Sequence, residues 1–348
     1  MKVCYGLVGM TRGHASRAIA VGKALEHAGH EVKFFTQLDA QSLLEEAFGE
    51  DKVVATEMPQ YAFSSSGEIN PVGTLLKNSS FLVKRKTKAK RVTEIAREWG
   101  ADLTLSDFEP LMWQVSKNLN LPHITINSQG FLISSKLPKK LPFSCYLQAK
   151  VLGALLFAFS PSATLRLVSK VFAKARASTR AFTYITPIIR PLIQQAAWSS
   201  QGTHFTVYLK TSQTGCLKQI QSVAEQEGRV GQVFGLTEEM LAKYSMLHAC
   251  TISEQAFTSS LLNADFVIAS PGSQILAECQ HLGIPILMVP EEKQFEQRIN
   301  VEMARESAPE QFQLLQQFSG FKQLAGSKKA ESPSHGGQEA VQHMMKVL

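Results

Sequence analysis

Three short stretches carry side chains that could do chemistry. The first is Gly9-Met-Thr-Arg-Gly-His14, with Arg17 one helical turn further on. Its glycines would let the backbone approach a ligand closely, and a helix starting there would favour anions. A helix N-terminus also favours neutral imidazole, the form of His14 that accepts a proton. The plainer reading is a histidine that only helps to start a helix. The glycine spacing is not the G-x-G-x-x-G of dinucleotide sites. The second stretch is Ser106-Asp-Phe-Glu109 before Pro110. Proline suits the first turn of a helix, so Asp107 and Glu109 stand where a strand gives way to one. Either could orient His14 or act as the base, and Asp107 could instead cap the helix. The third is Ser270-Pro-Gly-Ser-Gln-Ile-Leu-Ala-Glu278, with Gln294, Glu296 and Gln297 downstream. A glycine turn before a helix offers N–H groups to a pyrophosphate. Glu278 could accept hydrogen bonds from ribose hydroxyls, or it could lie on a solvated helix face. Gln294, Glu296 and Gln297 begin a further helix and could reach a hydroxyl-rich ligand.

The surrounding pattern shows which elements must position these groups. Residues 2–8, 31–36, 52–56, 103–106 and 123–127 read as strands. Helical patterns lie between them, one at 14–28 and one ending at Gly100. Residues 131–182 break the alternation and read as helical or irregular. Thr186-Pro-Ile-Ile-Arg-Pro191 marks a boundary. A second alternation follows, with strands at 204–209, 230–234, 247–251, 266–269 and 286–289. Its helices fall at 217–226, 254–262, 275–281 and 295–305. This predicts a first domain over 1–195, a second over 200–325, and a polar linker with a short helix over 326–348. Strands alternating with helices give parallel, doubly wound sheets, so the fold class is α/β with two Rossmann-like domains. Ligands of such sheets bind at the carboxyl ends of the strands, where all three stretches stand.

Composition narrows the classes. The 348 residues are 44% apolar and 19% charged, which suits two folded cores and excludes disorder. The five cysteines are dispersed with no C-x-x-C, as expected of reduced thiols in a cytosol, and no cluster has metal-ligand spacing. The most apolar run, 151–159, is about half the ~20 residues needed to span a bilayer. Residues 1–10 are too short an apolar run, with no cleavage site, to read as a signal peptide. Charge is uneven. Residues 1–195 hold 25 Lys/Arg against 14 Asp/Glu, and the rest hold 11 against 15. No acidic residue occurs from Pro110 to Ala224, and Lys84–Arg91 is a further basic block. An anionic partner is implied for the first half. Phe131, Leu132, Ile133, Phe143, Tyr146, Leu147 and Phe157 are interleaved with those bases, which suits an anionic membrane surface better than nucleic acid. The alternative is a solvated basic face without a partner. No nucleic-acid-binding signature is present.

The stretch 265–300 resembles the donor-binding segment of GT-B glycosyltransferases. The resemblance is to the branch holding the lipid II N-acetylglucosaminyltransferase and the UDP-glycosyltransferases, and to the family 28-like proteins in particular. Gly-x-x-x-Gly-His-x-x-Arg17, Ser-Asp-Phe-Glu-Pro110, Thr-Pro-Ile-Ile-Arg-Pro191 and Gln-Phe-Glu-Gln-Arg-Ile-Asn300 extend it over nearly the whole chain. The resemblance implies two domains facing a central cleft. It implies a nucleotide-sugar donor, with UDP favoured, and a hydroxyl acceptor, which the basic and apolar first half suggests is lipid-linked or membrane-associated. It implies no cofactor and no metal. The protein would be cytoplasmic and peripheral on the inner face of the membrane. His14 would be the base, oriented by Asp107, in an acceptor-side loop that includes Gly9, Thr11, Gly13 and Arg17. Ser212, Ser270, Gly272 and Ser273 would meet the phosphates, Ile252 and Ser253 the nucleobase, Glu278 the ribose, and Gln294, Glu296 and Gln297 the sugar. There are departures. Ser270 stands where plant-type enzymes have histidine, and Pro271 where a small residue is common. Ser270 also stands eight residues before Glu278, where retaining enzymes carry glutamate, so inversion is expected. The alternatives are a UDP-sugar 2-epimerase and a non-catalytic nucleotide-sugar-binding relative.

Overall fold

The computed structural model describes residues 1–10, 12–60, 73, 76–174, 181–320, 324, 326 and 335–347, with backbone alone at 82 and 85. The first alternation runs β1 (Lys2–Leu7), α1 (Arg12–His27), β2 (Glu31–Thr36), α2 (Leu38–Phe48), β3 (Val53–Ala55), α3 (Ser79–Trp99), β4 (Leu103–Asp107), α4 (Leu111–Leu119) and β5 (His123–Asn127). It continues with α5 (Phe131–Ser134), α6 (Phe143–Phe159), β6 (Leu165–Ser169) and β7 (Thr183–Ile185). These strands form one parallel sheet in the order β3-β2-β1-β4-β5-β6-β7. Helices cover both faces, which is why β4 and β5 are buried at every residue. On one face Ala18, Val21 and Leu25 of α1 share a core with Tyr5, Leu7 and Phe34. On the other, Ala96 of α3 and Met112 and Val115 of α4 pack with Cys4 and Phe35. α3 stops at Gly100, which takes the left-handed conformation and donates to the carbonyls of Ala96 and Arg97.

The expectation of a helical or irregular 131–182 needs correction, because β6 lies inside it. Leu165-Arg-Leu-Val-Ser169 is too short for its period to separate strand from helix. What makes it a strand is its partner, β5, whose Ile124 to Asn127 it matches from Leu165 to Val168.

The second alternation runs α7 (Pro191–Gln194), β8 (His204–Tyr208), α8 (Leu217–Glu227), β9 (Val230–Phe234), α9 (Glu238–Leu241), β10 (Leu247–Cys250) and α10 (Glu254–Asn263). β11 (Val267–Ala269), α11 (Ser273–Leu282), β12 (Ile286–Met288), α12 (Phe295–Ser307) and β13 (Phe312–Leu314) complete it. Its sheet is also parallel, in the order β10-β9-β8-β11-β12-β13. The last helix, α13 (Gly336–Met345), packs on α1 and adds Ala340, Val341 and Met344 to the first core. Glu339 of α13 accepts from the Thr186 amide at 2.8 Å. The chain therefore divides into one compact unit of Met1–Lys136, Tyr146–Arg190 and Ser334–Leu348 and another of Leu137–Cys145 and Pro191–Pro333. Among the described residues no helix is long and apolar enough to cross a membrane.

Each sheet reverses its strand order at one place, between β1 and β4 in the first unit and between β8 and β11 in the second. At such a reversal the connections leave in opposite directions and open a crevice beyond the carboxyl ends of the strands. His14 and Asp107 stand at the first reversal and the turn at Ser270–Ser273 at the second.

Candidate functional site

In the first unit α1 begins at Arg12, so Gly13 and His14 stand in its first turn. The loop leading into α1 runs close to residue 37: a Cβ on Gly9 would lie 2.0 Å from the Gln37 carbonyl oxygen, so only glycine fits there. Thr11 lies outside the described residues. β4 pairs with β1 to its last residue, Leu7 against Asp107, which brings Asp107 beside the start of α1. There the His14 Nδ1 lies 3.0 Å from Asp107 Oδ1. Arg17 donates through Nε to Asp107 Oδ2 at 2.7 Å and through Nη2 to Oδ1 at 3.1 Å. Arg17 Nη2 also lies 3.0 Å from His14 Nδ1. Asp107 is completely buried, and His14 and Arg17 are each less than a tenth exposed.

Burial pushes the Asp107 carboxyl up, but the Arg17 guanidinium and His14 outweigh it and hold the group below the usual carboxylate range. The two contacts at His14 Nδ1 require opposite tautomers, since the carboxylate accepts and the guanidinium donates. With the proton on Nδ1, His14 donates to the ionised Asp107, and Arg17 is held by the carboxylate rather than by the ring. The lone pair is then on Nε2, which has no hydrogen-bond partner among the described residues. Such a nitrogen can take a proton from a hydroxyl.

Glu109 is placed differently. Phe108, between the two acids, is left-handed with φ of 59°, a conformation that costs a side-chain-bearing residue about 1–2 kcal/mol. Beyond it the Glu109 carboxylate accepts from the Leu111 amide at 2.5 Å and the Met112 amide at 3.1 Å. Glu109 therefore caps α4, and of the two acids it is Asp107 that pairs with His14. Gly6, which nothing in the sequence pattern marked, makes room for this cap: a Cβ there would lie 2.8 Å from Glu109 Oε1. A cavity of about 10 Å³ lined by Phe108, Glu109, Phe159 and Arg166 among others holds roughly one water and no larger ligand.

In the second unit the loops after β8 and β11 are tied together. The Ser270 amide donates to the Tyr208 carbonyl at 3.3 Å, and its hydroxyl to Gln213 Oε1 at 2.5 Å. Buried Asn300 holds the Pro271 carbonyl at 2.7 Å. Gly272 caps α11 in open space, but its own amide donates to the Ser270 carbonyl at 2.7 Å. The helix itself begins at Ser273, so the Gly272 amide stands outside its first turn. Glu278 is completely buried and accepts from Gln274 Nε2 at 2.8 Å, which overturns a solvated helix face. α11 is buried nearly all round, so its carboxylate has no bulk water to turn to.

Ser212 and Gln297 converge on a residue that sequence reasoning missed. The Ser212 hydroxyl donates to Glu291 Oε2 at 3.3 Å, and Gln297 Nε2 to Glu291 Oε1 at 2.9 Å. The Lys210 ammonium donates to Glu291 Oε1 at 2.7 Å. Gln294 and Glu296, at the start of α12, are partly exposed. Ser253 caps α10 by accepting from the Ala256 amide at 3.1 Å, and Ile252 beside it is exposed. Their loop follows β10, the outer strand, two strands away from β8. Lys210, Glu291 and Asn300 had one sequence signal, their place just after a strand or early in the following helix. Among the described residues no group of His, Cys, Asp and Glu is spaced to hold a metal ion.

The family model described as "Glycosyl transferase family 1" matches residues 1–308. No curated protein matches the chain. Among solved structures, the glycotransferase of kitacinnamycin superposes with a TM-score of 0.63 at 14% identity, covering 100% of this chain and 99% of that one. Acinetobacter baumannii MurG gives 0.56 at 11%, covering 99% and 100%. The glycosyltransferase VinC in complex with DTDP gives 0.58 at 13%, covering 100% and 99%. At such identities these likenesses show the fold, which is GT-B.

Proposed function

The chain belongs to glycosyl transferase family 1, and from that premise we propose that it moves a sugar from a nucleoside-diphosphate sugar to a hydroxyl acceptor by a single, inverting displacement. The His14–Asp107 pair at the β1/β4 reversal carries this reading. His14 Nε2 takes the acceptor's proton as the acceptor oxygen bonds to the anomeric carbon. The bond from that carbon to the diphosphate breaks, and the electron pair leaves with the phosphate oxygen. Asp107 keeps the imidazole in register and stabilises the imidazolium formed, while Arg17 balances its charge in the buried site. The first-turn amides of α11 face the leaving diphosphate, and Glu278 serves the ribose. Ser270 stands where the resemblance places a glutamate in retaining GT-B enzymes, which supports inversion.

The donor is proposed to be a pyrimidine nucleotide sugar, with uridine first. VinC was solved with DTDP and the spinosyn rhamnosyltransferase SpnG with thymidine diphosphate, so thymidine is the next candidate. The acceptor is proposed to be lipid-linked and met at an anionic membrane surface from the cytoplasmic side. In support, α6 exposes Leu147, Val151 and Leu155 at four-residue spacing, with exposed Lys150 among them and no acidic residue from Pro110 to Ala224.

The donor reading is tested by thermal shift against UDP, dTDP, GDP, CMP and ADP, repeated with Glu278→Ala. A ligand at 100 times its Kd stabilises by about 2.7 kcal/mol, which raises Tm visibly. One nucleotide should shift Tm in the native protein and shift it by half as much or less in the variant. No shift from any of them would leave a non-catalytic relative as the better reading. Co-sedimentation with phosphatidylglycerol vesicles tests the acceptor side: Leu147→Glu with Val151→Glu should abolish it, and undiminished binding would refute the membrane assignment.

A further inference from the structure

The second unit holds an anion of its own. The Glu291 side chain is only 10% exposed, and its carboxylate takes three donors: the Lys210 ammonium, the Ser212 hydroxyl and the Gln297 amide. Two of these, Ser212 and Gln297, are the groups assigned above to the donor's phosphates and sugar. The three side chains come from the loop after β8 and the loop and helix after β12, the strands on either side of β11. They therefore flank the helix start that faces the diphosphate in the proposed reaction. A carboxylate and a phosphate present the same kind of anionic oxygen to such donors.

Holding the loop in shape would not require this arrangement. Gln297 alone staples residues 291–297, accepting from the Glu291 amide at 2.8 Å while donating to its carboxylate. Lys210 adds nothing to that staple, and its side chain is 58% exposed, with a four-carbon stem whose bonds can rotate. Residues 196–348, with 11 Lys/Arg against 15 Asp/Glu, are acidic overall, so a diphosphate binding there needs a local cation.

We infer that Glu291 is a displaceable internal anion occupying the diphosphate subsite of the free protein, and that Lys210 passes from Glu291 to the diphosphate when the donor binds. The inference rests on the donor reading given above. It makes Lys210 the residue that selects diphosphates over nucleosides, and it makes Glu291 a brake on donor affinity.

Calorimetric titration of uridine, UMP and UDP, and of the thymidine series, into the native protein, Lys210→Gln, Glu291→Gln and the double variant tests it. Lys210→Gln should weaken the diphosphate about tenfold and leave the nucleoside unchanged. Glu291→Gln should tighten the diphosphate about threefold to tenfold, and the gain should vanish in the double variant, because it acts through the freed lysine. A diphosphate Kd indifferent to Lys210→Gln, or weakened by Glu291→Gln, would overturn the inference while leaving the donor site intact. Failure of every nucleotide to bind the native, folded protein would overturn the donor reading and this inference with it. Lys210 is exposed, so Lys210→Gln decides the matter even if Glu291→Gln folds poorly.

Discussion

The two strand reversals are furnished in opposite ways. At β1/β4 the polar groups are fixed in one arrangement: Asp107 is sealed from solvent, Arg17 grips it with two bonds, and His14 is held against it with one nitrogen committed and the other unpartnered among the described residues. At β8/β11 the polar groups are satisfied by one another, Ser270 by Gln213 and Lys210, Ser212 and Gln297 by Glu291. A group that must move a proton gains from being fixed beforehand, since reorganisation during the reaction costs rate. A group that must bind and release a charged ligand gains from having an internal partner to exchange, because its hydrogen bonds are then made in both states.

The sharpest way to break this comparison is to remove the base. His14→Ala should lower kcat by about 10²- to 10⁴-fold while the donor Kd stays within twofold. Steady-state rates beside calorimetry measure both, and a parallel loss of donor affinity would show that the two regions are not separate functions. Arg17→Met comes next. It leaves Asp107 ionised and buried without its main partner and should cost about 3–5 kcal/mol in urea unfolding. Glu278→Ala tests the other side and should raise the donor Kd about tenfold or more, consistent with loss of a charged hydrogen-bond acceptor, with kcat at saturating donor little changed.

Acid unfolding offers a smaller, more specific readout. The Asp107 pKa is lower in the folded protein than in the unfolded chain, so the stability it confers is present above the unfolded value of about 3.9. That stability is lost as pH falls through the folded value. Urea midpoints measured from pH 7 down to pH 3 should fall most steeply below about pH 4, and Asp107→Asn should flatten that limb. The smallest effect is expected for Glu109→Gln, a cap change worth about 0.5–2 kcal/mol with the rate nearly intact. A loss of rate approaching that of His14→Ala would move the base to Glu109.

Much of the fold was legible because a parallel sheet covered on both faces writes itself as short apolar runs between helical patterns. The strands at 31–36, 123–127 and 230–234 have the expected bounds. β6, β7 and β13 were not legible: segments of three to five residues carry no usable period of their own, and these, unlike 123–127 and 230–234, do not stand in a clear strand–helix alternation and become strands only through a neighbour. α13 could be expected as a helix, but its return to α1 could not, because nothing local encodes which core Ala340 and Met344 will join.

The site divides along the same line. Residue type and position in the α/β pattern picked out His14, Asp107, Glu278 and Gln297, because the chemistry of a side chain and its place in an α/β unit are local properties, and the family resemblance added Ser212. Pairing is not local. Asp107 lies 93 residues from His14, and Glu291 lies 81 from Lys210. Asp107 faces the histidine while Glu109 caps a helix because of strand register, a left-handed Phe108 and the space left by Gly6, all set by packing between segments distant in the chain.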